Sequence, residues 1–400
     1  MAQAQGTCDP RFAKVRTLFQ SFLDSGEELG ASLTVNLAGE TVVDLYGGHR
    51  DAARTRAWGR DTVVPLASST KTVSALAVLL LVDRGAIASV NDKVCTYWPE
   101  FAANGKGEVE IRHLLAHTSG VAGWEDPVGM EEVCDRDSDA TARLAGQAPW
   151  WEPGTASAYH AWNYGHLLGE VVRRVTGGTR LKEFIAQEIA EPLGADFQIG
   201  LRAEDEGRVS EFVGVEVGGG LPPGFRPGPL FVKAIANPAM PPDFGRTRAW
   251  REGEVGASNG VGNARGLNTI LSNITLAGFN NDNKEQEKKK YLLSKSTVDL
   301  IFEEQSYGPD LAVGQTIRFG IGYALRGDAD GGREKTWVDD RLPAGRIAYW
   351  GGSGGSLGIM DVDRGLTITY AMNLRSTSML GNPASTAYIG AIYEALGVEI

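Results

Sequence analysis

The stretch Pro65-Leu66-Ala67-Ser68-Ser69-Thr70-Lys71-Thr72 runs directly into the apolar segment 73–82. A Ser followed three residues later by a Lys, at the start of a helix, places both side chains on one helical face. The amine can then reach the hydroxyl and take its proton, which turns a weak nucleophile into a useful one. Nowhere else in the chain does a Ser stand three residues before a Lys. The competing reading is that Ser68 or Ser69 only caps the helix that follows.

Two further elements follow in order. The first is Pro153-Gly154-Thr155-Ala156-Ser157-Ala158-Tyr159-His160-Ala161-Trp162-Asn163-Tyr164-Gly165, ahead of a helical pattern over 164–176. A phenol such as that of Tyr159 can relay a proton between nucleophile and leaving group when a nearby cation, here Lys71, favours its phenolate or a strong hydrogen bond. The competing reading makes Tyr159 a packing aromatic beside Trp150, Trp151 and Trp162. The second is Ala348-Tyr349-Trp350-Gly351-Gly352-Ser353-Gly354-Gly355, whose glycines let a ligand lie close against strand backbone.

Composition bounds the rest. The chain has 400 residues, 42% of them hydrophobic and 22% charged, enough for one large domain or two lobes. A formal net charge of −11 argues against nucleic-acid or anionic-membrane partners. Cys8, Cys95 and Cys134 show no metal-ligand or redox spacing, which fits a reducing compartment. His113 and His117 are four apart, but Leu114 stands where a zinc-protease Glu would be, so no metal is expected. The polar stretch 1–10 has no apolar h-region and the longest apolar run, 75–82, cannot cross a bilayer. The expectation is a cytoplasmic protein without a membrane partner.

Periodicity predicts an amphipathic helix over 11–24, a hairpin of strands 31–37 and 41–46, and helices ending near 85, 117 and 176. Strand patterns return at 317–325, 346–350, 357–361 and 366–372, and a helix over 384–395 closes the chain. Segment 221–229 reads as an irregular loop, and the charged run 280–290 as a solvated surface insertion. Strands at both ends and helices between them predict an α/β (α+β) fold. One sheet lobe is built from residues 1–75 and 312–400, and a mainly helical lobe from 76–311.

The three ordered elements resemble those of the serine β-lactamase/transpeptidase-like superfamily, in particular class C β-lactamases and their relatives, over about residues 10–395. Trp350-Gly351-Gly352 is similar to the Trp-Gly-Gly version of family VIII carboxylesterases. The resemblance implies an antiparallel sheet flanked by helices with an inserted mainly helical lobe, and the site in the cleft between. It implies Ser68, Lys71 and Tyr159 as catalytic residues, and the backbone N–H groups of Ser68 and Ser353 as an oxyanion hole. Trp350, Gly351, Gly352, Trp162 and Asn259 would bind substrate, Asn259 from a pocket-bordering loop at 254–260. Segment 112–120 resembles a helix-ending signature, in which the His residues satisfy backbone groups. Neither a metal nor an organic cofactor is implied.

The chain departs from the β-lactamase pattern at Ala161, where a Tyr-x-Asn element would place an amide-holding Asn. Tyr164 lies only one residue before Gly165 and fits the role of Tyr159 less well. The implied function is a serine carboxylesterase or a closely related acyltransferase, like the fungal one that finishes a statin. It would act on a small-molecule ester or thioester, with water or an alcohol as acceptor. The alternatives are a β-lactamase or D-amino-acid peptidase, and a non-catalytic binding protein that keeps the fold.

Overall fold

The computed structural model describes residues 3–214, 226–241, 243–279, 291–328, 331–336, 338–378 and 380–400. The run 280–290 and most of 221–229 therefore lie outside the described residues. A nine-stranded antiparallel sheet organises the molecule. Its strands are β1 (Gln5–Cys8), β2 (Gly30–Leu37), β3 (Glu40–Gly48), β4 (Ser306–Pro309), β5 (Thr316–Phe319), β6 (Ala324–Leu325), β7 (Ile347–Gly351), β8 (Leu357–Asp361) and β9 (Leu366–Met372), in the order β1-β3-β2-β9-β8-β7-β6-β5-β4. The two ends of the sequence meet at its centre, where Leu37 to Ala31 of β2 pair with Leu366 to Met372 of β9.

Both faces of the sheet are covered, yet its central strands alternate, with Leu33, Val35, Ile368 and Tyr370 toward one face and Ser32, Thr34, Thr367 and Thr369 toward the other. On one face, α1 (Ala13–Ser25) and the turn before it set Phe12, Val15, Phe19 and Leu23 against Leu33, Val35, Tyr370 and the C-terminal helix (Pro383–Ala395). On the other face lies the helix Ala264–Gly278, labelled α4 below. There the sheet presents hydroxyls: Thr369 Oγ1 donates to Ala264 O at 2.8 Å, and Thr367 Oγ1 to Thr275 Oγ1 at 2.7 Å.

Helix α2 (Thr70–Asp83) is buried on every side from Thr70 to Leu81. An all-round apolar helix belongs in the middle of a fold, and α2 packs against α3 (Tyr164–Val175) and against β7. The C-terminal helix, Pro383–Ala395, is α5. Three short strands, Val64–Pro65, Gly260–Gly262 and Phe197–Ile199, form a second small sheet that leads the chain into α2.

Several expectations change. The pattern over 317–325 is a hairpin, β5 and β6, rather than one strand, because Gly320 and Gly322 turn the chain and Ala324 pairs back with Phe319. The sheet already begins at Ser306, six residues before the expected boundary at 312, and α4, assigned by sequence to the helical lobe, packs on the sheet. Strands β1 and β4 are short, polar edges that carry no apolar pattern to read. Among the described residues, no helix is long and apolar enough to cross a membrane.

Candidate active site

Ser68 sits in a single 3-10 turn, Ala67–Ser69, at the mouth of the central helix α2. Ala67, the residue before it, has φ +45°, a left-handed conformation costly for a residue with a Cβ. Such outliers persist only where the surroundings hold them. Here Ser356 Oγ donates to Leu66 O at 2.7 Å and lies 2.9 Å from Ser69 Oγ, and Thr70 Oγ1 donates to Ala67 O at 2.6 Å. Ser69 therefore faces away from Lys71 and anchors the turn.

One turn on, Lys71 Nζ lies 3.3 Å from Ser68 Oγ. It donates to Ala161 O at 2.9 Å and to Ala257 O at 2.8 Å. Two carbonyls can only accept, so they use two N–H bonds of the amine. In the neutral form the lone pair then remains for the Ser68 hydroxyl. Burial pushes the Lys71 ammonium well below its ordinary value, and no carboxylate opposes that shift. The carbonyl of Ala257 reaches Lys71 because α3 and segment 254–259 meet at two glycines. A Cβ on Gly165 would stand 2.5 Å from the backbone of Gly256. Ala161, where an amide side chain was expected by resemblance, acts here through its carbonyl.

Tyr159 completes the cluster. Its hydroxyl is hydrogen-bonded to the Ser68 side chain and accepts from Trp350 Nε1 at 3.4 Å. Burial raises its pKa above the ordinary phenol value, and these two hydrogen bonds offset only part of that. Lys71 Nζ lies 4.6 Å from the centroid of the Tyr159 ring, over its face rather than at its hydroxyl. This corrects the expectation that Lys71 would favour the phenolate. The backbone N–H of Tyr159 donates to Asp310 Oδ1 at 3.0 Å, and the same oxygen accepts from Ala312 and Val313 at 2.9 Å each. Asp310 thus fixes the Tyr159 segment, a role no sequence motif marks.

Behind Tyr159, the buried His117 ring packs 5.1 Å from it and 4.7 Å from Tyr164. His117 Nδ1 accepts from the His160 backbone N–H at 3.0 Å, and His113 Nδ1 from that of Glu110 at 3.1 Å. Burial, followed by the neighbouring His160 and Lys71, holds His117 well below its ordinary pKa. Tyr164 is occupied elsewhere, donating its hydroxyl to Leu115 O at 3.1 Å.

Ser353 is exposed in the turn after β7, where Gly352 N–H donates to Ser356 O at 2.8 Å. Among the described residues, the backbone N–H groups of Ser68 and Ser353 meet no acceptor. The other expected substrate-binding residues fare differently. What closes on Gly352 is the protein itself: a Cβ there would stand 2.3 Å from Ser356 Oγ, 2.4 Å from Leu66 O and 3.0 Å from Ala67 Cβ. At Gly351 it would stand 2.6 Å from Leu380 Cδ1. These glycines admit the nucleophile turn and core side chains.

Asn259 is buried and spends its amide on the loop. Its Nδ2 donates to Trp250 O and Gly253 O at 2.9 Å each, and Oδ1 accepts from Val255 N at 3.0 Å. It braces the segment that carries Ala257 O and has no donor left for substrate. Trp350 is buried against Tyr159, with ring centroids 5.1 Å apart. Trp162 is half-buried; its Nε1 donates to Ile235 O at 2.9 Å, and one edge of the ring meets Trp250. A cavity of about 650 Å³ lies away from Ser68, lined among others by Arg136, Arg180, Arg248 and Glu254. Its arginines are ion-paired with Glu254, Asp137 and Glu252.

The Beta-lactamase family model matches residues 15–389. A crystal structure of a family VIII carboxylesterase is 35% identical, with a TM-score of 0.87, covering 98% of this chain and 100% of that one. The esterase/beta-lactamase LipL of Mycobacterium tuberculosis is 36% identical over 199 residues, 48% of this chain and 43% of the relative. The esterase EstB of Burkholderia gladioli is 34% identical over 202 residues, 46% of this chain and 50% of the relative. The matched stretch thus spans about half the length of these curated relatives.

Proposed function

The chain belongs to the β-lactamase family, and from that premise we propose that it is a serine esterase working through an acyl-Ser68 intermediate. The observation that carries this reading is the Lys71 amine, buried, held by two carbonyls and 3.3 Å from Ser68 Oγ. The environments of Lys71 and Tyr159 push their pKa values in opposite directions, down for the amine and up for the phenol. Paired groups separated in this way divide the base and acid roles.

Lys71 therefore takes the proton of Ser68 as Oγ bonds to the ester carbonyl carbon. The N–H groups of Ser68 and Ser353 receive the oxyanion. When the tetrahedral adduct collapses, the C–O bond to the alcohol breaks. The departing alkoxide takes the Tyr159 proton, and the phenolate recovers one from the Lys71 ammonium. Water, or an alcohol, then repeats the sequence on the acyl-enzyme, with the proton moving along the same groups. Which acceptor prevails decides between hydrolysis and acyl transfer.

With Ala161 contributing a carbonyl and no amide side chain, esters are preferred to β-lactams in this reading. The test is labelling by a fluorophosphonate probe combined with turnover of short-chain p-nitrophenyl esters. Wild type should label at Ser68 and turn over. Ser68→Ala should do neither while melting normally. An active Ser68→Ala enzyme would overturn the assignment. A folded wild type that neither labels nor turns over any ester would favour a non-catalytic role.

A further inference from the structure

Thr70, Thr72 and Ser74 bring hydroxyls to the start of α2. Two of them bond back along the chain: Thr70 Oγ1 donates to Ala67 O and Thr72 Oγ1 to Ser69 O, each at 2.6 Å. That is the usual outlet for a hydroxyl in a helix. Ser74 does otherwise. It is fully buried, and its Oγ reaches across to Gly256 O, also at 2.6 Å. Ser74 stands three residues after Lys71, so the two side chains share one face of α2. They hold consecutive carbonyls of one segment: Ser74 that of Gly256, and Lys71 that of Ala257 at 2.8 Å.

Residue 256 has no room for a side chain. A Cβ there would stand 2.6 Å from Leu181 Cδ2, 3.1 Å from Ser74 Oγ and 3.2 Å from Gly165 Cα. Glycine meets that packing but leaves the backbone its widest freedom, one residue before the carbonyl that holds the base. The peptide unit joining Gly256 to Ala257 is the link through which this freedom would pass. Ser74 clamps that unit from the same helix that carries Lys71, so the amine and its acceptor are both referred to one rigid element. Without this donor the buried Gly256 carbonyl would be left unpaired, a cost that favours turning the peptide.

We propose that Ser74 is a positioning residue for the base: by fixing the Gly256 carbonyl it fixes the Ala257 carbonyl, and so keeps Lys71 Nζ aimed at Ser68 Oγ. The inference rests on the acyl-Ser68 reading above. In this role Ser74 acts through Ala257 rather than on the reacting atoms.

Ser74→Ala tests this by removing one hydroxyl and keeping the helix. Lys71 serves acylation and deacylation alike, so both steps should slow together. On p-nitrophenyl butyrate, kcat should fall by about 10- to 100-fold, as for a small misplacement of a catalytic group, with KM within about twofold of wild type. Ser74→Cys, whose thiol is a weak donor, should lie between Ser74→Ala and wild type. Leu80→Ala is the control for lost packing: Leu80 is buried on the same helix, about 14 Å along it from Lys71. It should lower the melting temperature at least as much as Ser74→Ala, with kcat within about twofold of wild type. Unchanged kcat in both Ser74 variants would overturn the proposal, as would a loss carried by KM or one that Leu80→Ala matches.

A spectroscopic readout keeps this separate from the catalytic reading. In protein labelled with carbon-13 at lysine Cε, the Lys71 signal is the one missing from Lys71→Arg. It should move in Ser74→Ala and stay in place in Leu80→Ala. Should Ser74→Ala not fold, Ser74→Cys carries both measurements. If wild type turns over no ester yet the signal moves in this way, the acyl-enzyme reading fails and the positioning of Lys71 by Ser74 stands. If the signal stays in place in the Ser74 variant, the positioning fails whatever esters the protein turns over.

Discussion

Replacing Gly352 by Ala asks whether the nucleophile turn is held by close approach to β7. The new Cβ would stand 2.4 Å from Leu66 O, against an ordinary contact of 3.4 Å, so something must move by about 1 Å. The Ser356 hydroxyl, 2.3 Å from the same point, can rotate only by leaving Leu66 O and Ser69 Oγ. The Leu66 carbonyl is main chain, two residues before Ser68, and cannot move without carrying the nucleophile with it. Overpacking of this kind costs about 1–3 kcal/mol of stability. A displacement near 1 Å at the reacting atom costs on the order of 100-fold in rate. The assay is kcat on a p-nitrophenyl ester, normalised to sites titrated by the fluorophosphonate probe, together with thermal unfolding. Gly390→Ala is the control, because no heavy atom stands within 4 Å of a Cβ at that position in α5. Gly390→Ala should be neutral or slightly stabilising, and Gly352→Ala should fold less stably with kcat down about 100-fold. A Gly352→Ala enzyme with wild-type kcat would refute the idea that this contact sets the position of Ser68.

The Lys71 amine works only when neutral, so acylation should be lost as pH falls through its lowered pKa, and the rising limb of the pH–rate profile should lie well below the usual lysine range. Lys71→Arg should remove that limb and nearly all activity, because a guanidinium stays protonated; near wild-type acylation in this variant would mean another base. Tyr159→Phe should lower kcat by about 100-fold with little change in melting temperature, since one proton relay is lost and the packing is kept. Asn259→Ala should cost about 3 kcal/mol in urea unfolding, since it leaves two carbonyls and one N–H of a buried loop unpaired, and should affect KM far less than a substrate ligand would. Glu28 is buried against the Tyr370 hydroxyl, and burial pushes its carboxyl from 4.5 up to about 8. Its contribution to stability is complete below pH 4.5 and is lost as pH rises through about 8, a loss of about 5 kcal/mol. Glu28→Gln should flatten that slope, and an unchanged dependence of unfolding free energy on pH would contradict it.

What could be read in advance follows contact order along the chain. Ser68 and Lys71 meet because they are one helical turn apart, a local fact that a sequence displays. Tyr159 was locatable through its interval from Gly165 and the helix beyond. The structure brings these three together and puts the Ser353 turn against them through the contact at Gly352. Asn259 misled because an Asn in a pocket-bordering loop looks the same whether its amide faces a ligand or its own backbone. Gly351 and Gly352 were recognised as sites of close approach, but what approaches them is the 66–67 backbone and core side chains. Asp310 belongs to no motif: it matters through a neighbour distant in sequence, Tyr159. The edge strands β1 and β4 were invisible because an exposed edge needs no apolar side chains, and the 317–325 pattern hid a reversal because apolar residues flank both of its glycines.

The pairing of β2 with β9 has a bearing on synthesis. Leu37 waits for Leu366, so about 330 residues must emerge before the centre of the sheet can close. At ribosomal rates of about 5–20 residues per second, that is on the order of tens of seconds. Throughout that interval the hairpin of β2 and β3 offers one unpaired edge and an uncovered apolar face to the cell. This is a setting for holdase chaperones and for aggregation if they are scarce. Rate-limiting formation of so distant a contact also makes refolding in dilute solution slow. Recovery of this protein should therefore depend on temperature and chain concentration during expression more than on the stability of the finished fold.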